Sequence, residues 1–476
     1  MRGLHIVLIG SGGREHALAR EFALSRMVSR LTIASGQKLF ASSEGLLRGC
    51  KALAAQRAKS EFPPLHVELL SGDLAAPFDT LFDQVAKGPQ VDLMVIGPEQ
   101  PLADGLADRA RSLGIAVFGP SREAAMLESS KVFAKEIMLA AQVRTARSIK
   151  VASVSDVERA TAAGGGAANF RTPYVLKANG LCAGKGVSLH PTREELLQQA
   201  KLLFDDRVLG EAGALALIEE FTPGVEMSHL VLVSGTHSMA LPPARDHKRL
   251  LDEDLGPNTG GMGVIAPIAI GAPMLREIES TIVKPVLAEL SRRRIDYRGV
   301  LYFGLMLTPD GPSVLEFNTR FGDPEAQALL PLFKDSDTVV RTLMHVAQAE
   351  PLPAPNDVFE SARSTAVLVL ASEGYPERPI AGSQIEGLSP DGTLLKAVEV
   401  SPEQECYVLH AGSELRQDGK WVTRGGRVLN VISTSALSIE DALDRAYRVA
   451  EKIRWSGRQL RMDIGRTSQQ NPFKDT

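Results

Sequence analysis

Leu4-His5-Ile6-Val7-Leu8-Ile9-Gly10-Ser11-Gly12-Gly13 is a short apolar run that passes straight into glycines. Apolar residues at helical spacing follow from Ala17 to Leu24, so the stretch reads as strand, tight turn and helix. The pattern recurs outward. Leu31-Thr32-Ile33-Ala34 is a second strand, residues 91–96 a third that ends at Gly97-Pro98-Glu99, and Ile115-Ala116-Val117-Phe118 a fourth that ends at Gly119-Pro120. Strands alternating with helices predict a doubly wound parallel α/β sheet, whose ligands sit beyond the carboxyl ends of its strands. The loops at Gly10, Gly97 and Gly119 are thereby expected on one edge.

Past residue 121 the spacing predicts a helical stretch through Glu128-Ser129-Ser130-Lys131 and Phe133-Ala134-Lys135, then a surface loop at Gly164-Gly165-Gly166. Residues 173–178 and 187–189 read as strands of a hairpin joined by the glycine-rich segment 179–186. Strands at 216–220 and 229–233, a long glycine-rich loop at 256–263, and a hairpin of 299–307 with 313–317 about Thr308-Pro309-Asp310-Gly311 follow. A third region starts near Ser364, with strands at 366–370 and 427–432. Its helix, over 439–453, opens at Ser438 with Asp441 three residues on, the spacing of a capping box.

The 476 residues suit about three domains, and 44% hydrophobic with 23% charged residues describes a soluble globular chain. With 53 Lys+Arg against 57 Asp+Glu the formal charge is -4, and no block of like charge forms a basic stripe, which argues against nucleic acid as a partner. The weakly polar run 264–275 holds Pro267 and Pro273 and falls short of the roughly 20 apolar residues of a membrane span. The apolar opening lacks the longer core of a secretory signal. Cys50, Cys182 and Cys406 lie far apart with no CxxC, so neither a disulfide framework nor a zinc site is expected, and the reducing cytoplasm is the expected compartment.

Four segments carry chemistry. In Gly10-Ser11-Gly12-Gly13-Arg14-Glu15-His16 the third glycine of a dinucleotide fingerprint is replaced by Glu15, and no acidic residue closes the second strand. Two readings stay open: N–H groups at a helix N-terminus that seat a phosphate, or a turn that needs glycine for geometry alone. Gly180-Leu181-Cys182-Ala183-Gly184-Lys185-Gly186 is one residue short of a P-loop and leads into a strand, which makes it a flap able to close over a triphosphate. Lys177 precedes it, either in reach of a covered phosphate or as a solvated strand lysine.

Glu316-Phe317-Asn318-Thr319-Arg320-Phe321-Gly322-Asp323-Pro324-Glu325 packs four charged groups into ten residues. On a strand Glu316 and Asn318 share a face, offering two oxygens to one Mg²⁺ that carries nucleotide phosphates. Arg320 joins that face if the strand continues and can hold a carboxylate or phosphate bidentately. The plain alternative is an edge strand entering a Gly-Asp-Pro turn. Arg245-Asp246-His247-Lys248-Arg249 precedes Gly256-Pro257-Asn258-Thr259-Gly260-Gly261-Met262-Gly263. Its charges alone describe a solvated face, whereas so many glycines suggest close approach to a ligand or a hinge. His16, His229, His237 and His247 show no metal or nucleophile spacing.

GSGGREHAL from Gly10, IGPEQPL from Ile96, FGP from Phe118, ESSKVFAK from Glu128, VLKANGLCAGKGV from Val175, IEEFTPGVEMS from Ile218, DHKR from Asp246, GPNTGGMG from Gly256, EFNTRFGDPEAQ from Glu316 and GGRVL from Gly425 run in order through nearly the whole chain. Together they resemble the phosphoribosylamine-glycine ligase family of the ATP-grasp superfamily. The resemblance implies a doubly wound N-terminal substrate-binding domain at 1–122, an ATP-grasp region at 123–362 with a small lid at about 145–230, and a C-terminal α+β domain at 363–476. It further implies ATP-dependent joining of glycine to 5-phosphoribosylamine through glycyl phosphate, giving glycinamide ribonucleotide, ADP and phosphate in purine biosynthesis.

By the same resemblance Lys131 and Lys177 reach ATP phosphates, and the flap with Gly184, Lys185 and Gly186 covers them. Residues Glu219, Phe221 and Thr222 belong to the stretch that meets adenine through its backbone, and Glu226 takes the ribose hydroxyls. Glu316 and Asn318 hold Mg²⁺ or Mn²⁺. Gly10, Gly12, Gly13, Glu15 and Glu99 seat the phosphoribosylamine, while Asp246, Lys248, Arg320 and Asp323 lie near the reacting groups. A monomer is the expected state. The chemistry is consistent with this set: an acyl phosphate provides a leaving group only if cations offset charge on the phosphoryl oxygens, and a closing flap keeps water from it.

The chain departs from the family pattern in places. Ser35-Gly36-Gln37-Lys38-Leu39 stands where Pro-Gly-Asn-Ala-Gly is usual, Asn179 replaces an aspartate, and Cys182 replaces an alanine. The segment 299–307 holds no further acidic metal ligand. Two alternatives follow: an ATP-grasp carboxylate-amine ligase with a different amine, favoured by the altered second loop, and a nucleotide-binding subunit without catalysis.

Overall fold

The computed structural model describes residues 3–36, 40–58, 63–72, 88–182, 184–394 and 404–466. Strand β1 (Leu4–Ile9) lies at the centre of a five-stranded parallel sheet with β2 (Val28–Gly36), β3 (His66–Gly72), β4 (Leu93–Ile96) and β5 (Val117–Phe118), in the order β3-β2-β1-β4-β5. The near-continuous apolar run of β1 follows from burial on both faces: Ile6 and Leu8 enter one core, Val7 and Ile9 another. Parallel order brings the loops at Gly10, Gly97 and Gly119 to one edge, as expected. β3 escaped the sequence reading because it is an edge strand whose sequence, HVELLSG, is half polar. Of the altered second loop, Gln37, Lys38 and Leu39 lie outside the described residues.

The helical stretch past 121 is two helices, Arg122–Ser129 and Lys131–Ala140, because Ser130 leaves helical geometry and caps the second by accepting from the Phe133 N–H. A small antiparallel sheet follows from β6 (Ser148–Val151), β7 (Tyr174–Ala178), β8 (Val187–His190) and β9 (Ala216–Glu219), ordered β6-β9-β7-β8. Lys177 pairs with Val187, so 179–186 is the hairpin loop that the glycines predict. Ala183 in that loop lies outside the described residues.

The chain continues through β10 (Val225–Ser234), β11 (His237–Ala240), β12 (Arg245–Asp246), β13 (Arg249–Leu251), β14 (Leu255–Asn258), β15 (Gly263–Ala266), β16 (Arg298–Thr308) and β17 (Gly311–Asn318). A four-stranded sheet, β11-β10-β16-β17, faces the small one, and its last hairpin turns at Pro309-Asp310. The expected loop at 256–263 is partly a ribbon, since β13 and β14 pair. The last strands are β18 (Ser364–Ala371), β19 (Cys406–His410), β20 (Ser413–Leu415), β21 (Trp421–Thr423) and β22 (Arg427–Ser435). β12 and β15 join three of these as β12-β15-β18-β22-β19, so the C-terminal sheet takes two strands from the middle of the chain. The final helix, Ile439–Ala450, is capped as expected by Ser438 accepting from the Asp441 N–H, and ends three residues early.

Candidate active site

A cavity of about 240 Å³ opens between the small sheet and the four-stranded sheet. Lys177, Gly184, Glu219, Phe221 and Thr222 line it from one side, Glu226, Tyr302 and Glu316 from the other, and Asp246, Lys248 and Asn258 close an end. Lys177 alternates into this space from β7, its Nζ 2.9 Å from the Leu315 carbonyl oxygen and 2.8 Å from Glu219 Oε2. Lys135, which sequence reasoning passed over, meets the other Glu219 oxygen at 2.8 Å. Burial alone would raise the Glu219 carboxyl, but the two ammonium groups hold it below the usual range. Glu219 is therefore a brace for Lys177. The N–H groups of Glu220 and Phe221 already donate to the carbonyls of Arg147 and Arg171, at 3.0 and 3.2 Å, so those two donors are not free for adenine here.

Glu316 sits where three lysines converge. Lys131 Nζ and Lys248 Nζ each lie 3.9 Å from its carboxylate, on opposite oxygens. Burial pushes the carboxyl up, yet Lys131, Lys248, Lys177 and Arg320 together bring it down to about 2. Lys248 is raised above its ordinary range by Tyr302 and, despite burial, by Glu316, Glu226 and Asp246. This is a pocket of fixed positive charge around one carboxylate, the pattern that a polyphosphate with its counter-ion requires. Glu226 lines the same cavity, whereas Lys185 is exposed on the flap.

Asn179, the flap's first residue, anchors it: its Oδ1 accepts from Ser130 Oγ at 3.0 Å and from the Val132 N–H at 2.9 Å. Cys182 donates to the Gly180 carbonyl at 3.4 Å, and burial raises its thiol, so it is not an activated thiolate. Gly184 has φ +82, a conformation that favours glycine, and a side chain added to Gly186 would press on Cys182.

Arg320 ties this cleft to the N-terminal sheet. Its Nη2 meets Glu128 at 2.8 Å and the Asn318 oxygen at 3.3 Å, and its Nε lies 3.6 Å from Glu99. Glu128 also accepts from the Thr319 N–H at 2.7 Å. The Glu99 carboxyl, which burial would raise, is lowered by Arg320 and Arg14. Beyond Arg320, Asp323 is held by Arg427 of β22 at 3.1 Å and by Gln327 at 2.6 Å. Asp246 packs against Gly261, whose φ of +110 admits no side chain, and burial with the nearby Glu325 charge raises its carboxyl well above the ordinary range.

At the glycine loop the helix Gly13–Leu24 points its N-terminus toward these groups. Glu15 bends back to accept from the Gly12 N–H at 2.7 Å and from Arg14 Nε at 2.7 Å. A side chain at Gly97 would meet its carboxylate at 2.0 Å and one at Gly10 would meet its Cγ at 2.8 Å, so both glycines are required by the fold of Glu15. The loop's donors are thus partly taken by its own carboxylate, where the sequence suggested bare N–H groups. Lys177 and Glu316 line one cavity, and Arg320 adjoins it through the Asn318 oxygen.

Models of the phosphoribosylglycinamide synthetase N domain, ATP-grasp (A) domain and C domain match residues 4–128, 129–326 and 365–467. A phosphoribosylamine-glycine ligase of Rhodopirellula baltica is 37% identical over 466 residues, covering 98% of each chain. This chain belongs to the phosphoribosylamine-glycine ligase family. It is also 37% identical over 462 residues to a trifunctional purine biosynthetic protein of Gallus gallus, of which it spans 42%. The crystal structure of a phosphoribosylamine-glycine ligase from Thermotoga maritima superposes with a TM-score of 0.74 at 30% identity, over 97% of this chain and 100% of that one.

Within this ligase family member, sequence reasoning found the charged residues of the motifs but not their partners. Lys135, Tyr302, Glu128, Gln327, Arg427 and Asn430 were given no role. Glu128, Lys135, Gln327 and Arg427 had a signal, since each stands inside a matching segment, whereas Tyr302 and Asn430 stand outside all of them.

Proposed function

We propose that the chain ligates glycine to 5-phosphoribosylamine at the expense of ATP, through glycyl phosphate, with release of ADP and phosphate. The observation that carries this reading is the convergence of Lys131, Lys177 and Lys248 on Glu316 beneath the flap. ATP lies with its phosphates among those lysines, its purine near Phe221 and Thr222, and its ribose toward Glu226. The glycine carboxylate attacks the γ-phosphorus, the lysines balance charge on the phosphoryl oxygens, and the closed flap excludes water that would hydrolyse the acyl phosphate. The amine nitrogen then attacks the carbonyl carbon, phosphate leaves, and the raised carboxyl of Asp246 is placed to take the proton that the amine sheds. Arg320, Asp323 and Glu99 position the amine substrate between the glycine loop and the cleft.

Glu316 and Asn318 would hold Mg²⁺ or Mn²⁺. They fit: a carboxylate kept ionised and an amide oxygen held only by Arg320 at 3.3 Å stand two residues apart on one strand face, and no larger acidic cluster occurs among the described residues. Such an ion supplies charge neutralisation at the phosphates, with its other ligands from phosphate and water. We divide the chain functionally at 1–122, 123–362 and 363–476, and place it in the cytoplasm as a monomer. Among the described residues no helix is long and apolar enough to cross a membrane.

The test is ADP release. It should require glycine and freshly generated phosphoribosylamine together, and the product should be glycinamide ribonucleotide. Release with another amine instead would replace the substrate, and no release with any amine would leave a binding subunit.

A further inference from the structure

Asn430 is a polar residue in an apolar setting. It lies in β22, the strand flanked by β18 and β19, and its neighbours toward helix Gly13–Leu24 include Ile432 and Leu409 of the main core. The side chain is 1% exposed, and its Nδ2 has no hydrogen-bond partner. A buried amide donor left unpaired costs about 1–3 kcal/mol, and the neighbouring Gln327 Oε1 is likewise buried without a partner, so the two side chains leave both a donor and an acceptor unused at one place.

The direction in which Asn430 points names the place. A Cβ built on Gly13 would lie 2.6 Å from Asn430 Nδ2 and 2.8 Å from Gln327 Nε2. Two amide NH₂ groups, from strand β22 and from the segment after Asp323, thus converge on the first residue of a twelve-residue helix. Gln327 is also 1% exposed, and its orientation is set by donation to the Asp323 carboxylate at 2.6 Å. The pairing of β22 with β18 slips by one residue between Leu370 and Ala371. That bulge breaks the alternation of sides, so Arg427 and Asn430, three positions apart, both turn toward the glycine loop and Asp323. The N–H groups of a helix's first turn lack intrahelical acceptors, and Glu15 satisfies only that of Gly12.

We propose that Asn430 Nδ2 is a binding donor for the phosphate group of the amine substrate, completing an anion seat whose other wall is the N-terminus of helix Gly13–Leu24. This rests on the ligase reading above and adds to it a residue of the C-terminal sheet. A ribosyl phosphate supplies the acceptor oxygens that Asn430 lacks, and the helix end favours their negative charge. Asn430 therefore discriminates phosphorylated from unphosphorylated ribosyl amines.

The experiment measures binding of ribose 5-phosphate and of ribose to the full chain by calorimetry, with steady-state kinetics in parallel. Asn430→Ala should weaken ribose 5-phosphate about tenfold, leave ribose unchanged, and raise KM for phosphoribosylamine with KM for ATP and glycine as in the wild type. Asn430→Asp should weaken it at least about tenfold further, by setting a carboxylate against the phosphate. Asn430→Ser, which keeps a donor, should recover part of the loss, and melting curves of all three confirm folding. Wild-type affinity for ribose 5-phosphate in Asn430→Ala, with ligation intact, overturns the proposal alone. If the wild-type chain neither binds ribose 5-phosphate nor forms the ligation product, the functional reading beneath it falls as well.

Discussion

Lys177, Glu219 and Glu316 on the nucleotide side come from strands whose motifs stand alone, whereas the seat at Gly13 is closed by Gln327 and Asn430 from two distant stretches of the chain. The two regions differ in how charge and packing share the task. On the nucleotide side, strand alternation puts consecutive motif residues on one face, and ammonium groups set the electrostatics at contact range. At the glycine loop, backbone fit decides: Glu15 occupies the space that Gly10 and Gly97 leave open, and Asn430 the space left by Gly13. Mutation should therefore act by charge in the first region and by shape in the second.

The largest effect is expected at Glu316. Glu316→Gln removes the charge that Lys131 and Lys248 face, and we expect kcat to fall about 10²- to 10³-fold with a weakened Mg²⁺ dependence. A magnesium titration of kcat checks it, and an unchanged Mg²⁺ dependence would remove Glu316 from the metal site. Next is Arg320→Lys. A single ammonium cannot span Glu128, Glu99 and the Asn318 oxygen at once, so kcat/KM should drop roughly 10- to 100-fold. Kinetics equal to the wild type would show that the two regions are not coupled through this residue.

This contrast also explains what the sequence made legible. The parallel N-terminal sheet, the flap hairpin and the 308–311 turn announced themselves through apolar runs and turn residues, which are local properties. Lys177, Glu316 and Arg320 stood out through strand alternation and charge beside glycine-rich segments, and Lys131 was found because its motif resembles a family. The ribbon β13–β14, the polar edge strand β3 and the short strands β20 and β21 were not, since their pairing depends on neighbours far along the chain. The same reason hid Lys135, Tyr302 and Asn430. No spacing tells that an asparagine three residues after Arg427 turns to the same side, because that follows from a bulge.

Acid should separate the two regions. His16 lies in the helix behind the glycine loop, its ring 5.9 Å from that of His410 in β19. Neutral His16 accepts at Nδ1 from the His410 N–H at 2.9 Å, and burial, helped by His410 and Arg20, lowers it to about 3. Burial likewise lowers His410 to about 4, although its bond to the Gly392 carbonyl opposes this. Both bind a proton readily only when the chain unfolds. Their contribution is complete above about pH 6.5 and is lost as pH falls to about 4 for His410 and about 3 for His16, at about 1.4 kcal/mol per pH unit for each group. The melting temperature should drop across that window, and ribose 5-phosphate affinity should fail before nucleotide affinity, because Glu316 stays ionised down to about 2. Parallel loss of both affinities would mean that the cleft unfolds as one unit.

The smallest effect tests whether the flap's anchor depends on charge or on shape. Asn179 stands where the family commonly has aspartate, and its Oδ1 already accepts from Ser130 Oγ and the Val132 N–H at the start of helix Lys131–Ala140. Asn179→Asp keeps both bonds, since a carboxylate oxygen accepts in the same geometry. It adds a negative charge at a helix N-terminus, which stabilises by about 0.3–1 kcal/mol. The same charge sits beside Lys131, which faces the phosphates, and partly neutralises it. We therefore expect a melting temperature raised by a degree or two, on the order that such an energy gives, and a KM for ATP raised less than about threefold. A large loss of ATP affinity would show that Lys131 needs its full charge and that this side is tuned electrostatically down to its outermost residue. No change in either quantity would show that the anchor works by hydrogen-bond geometry alone, as the glycine loop does.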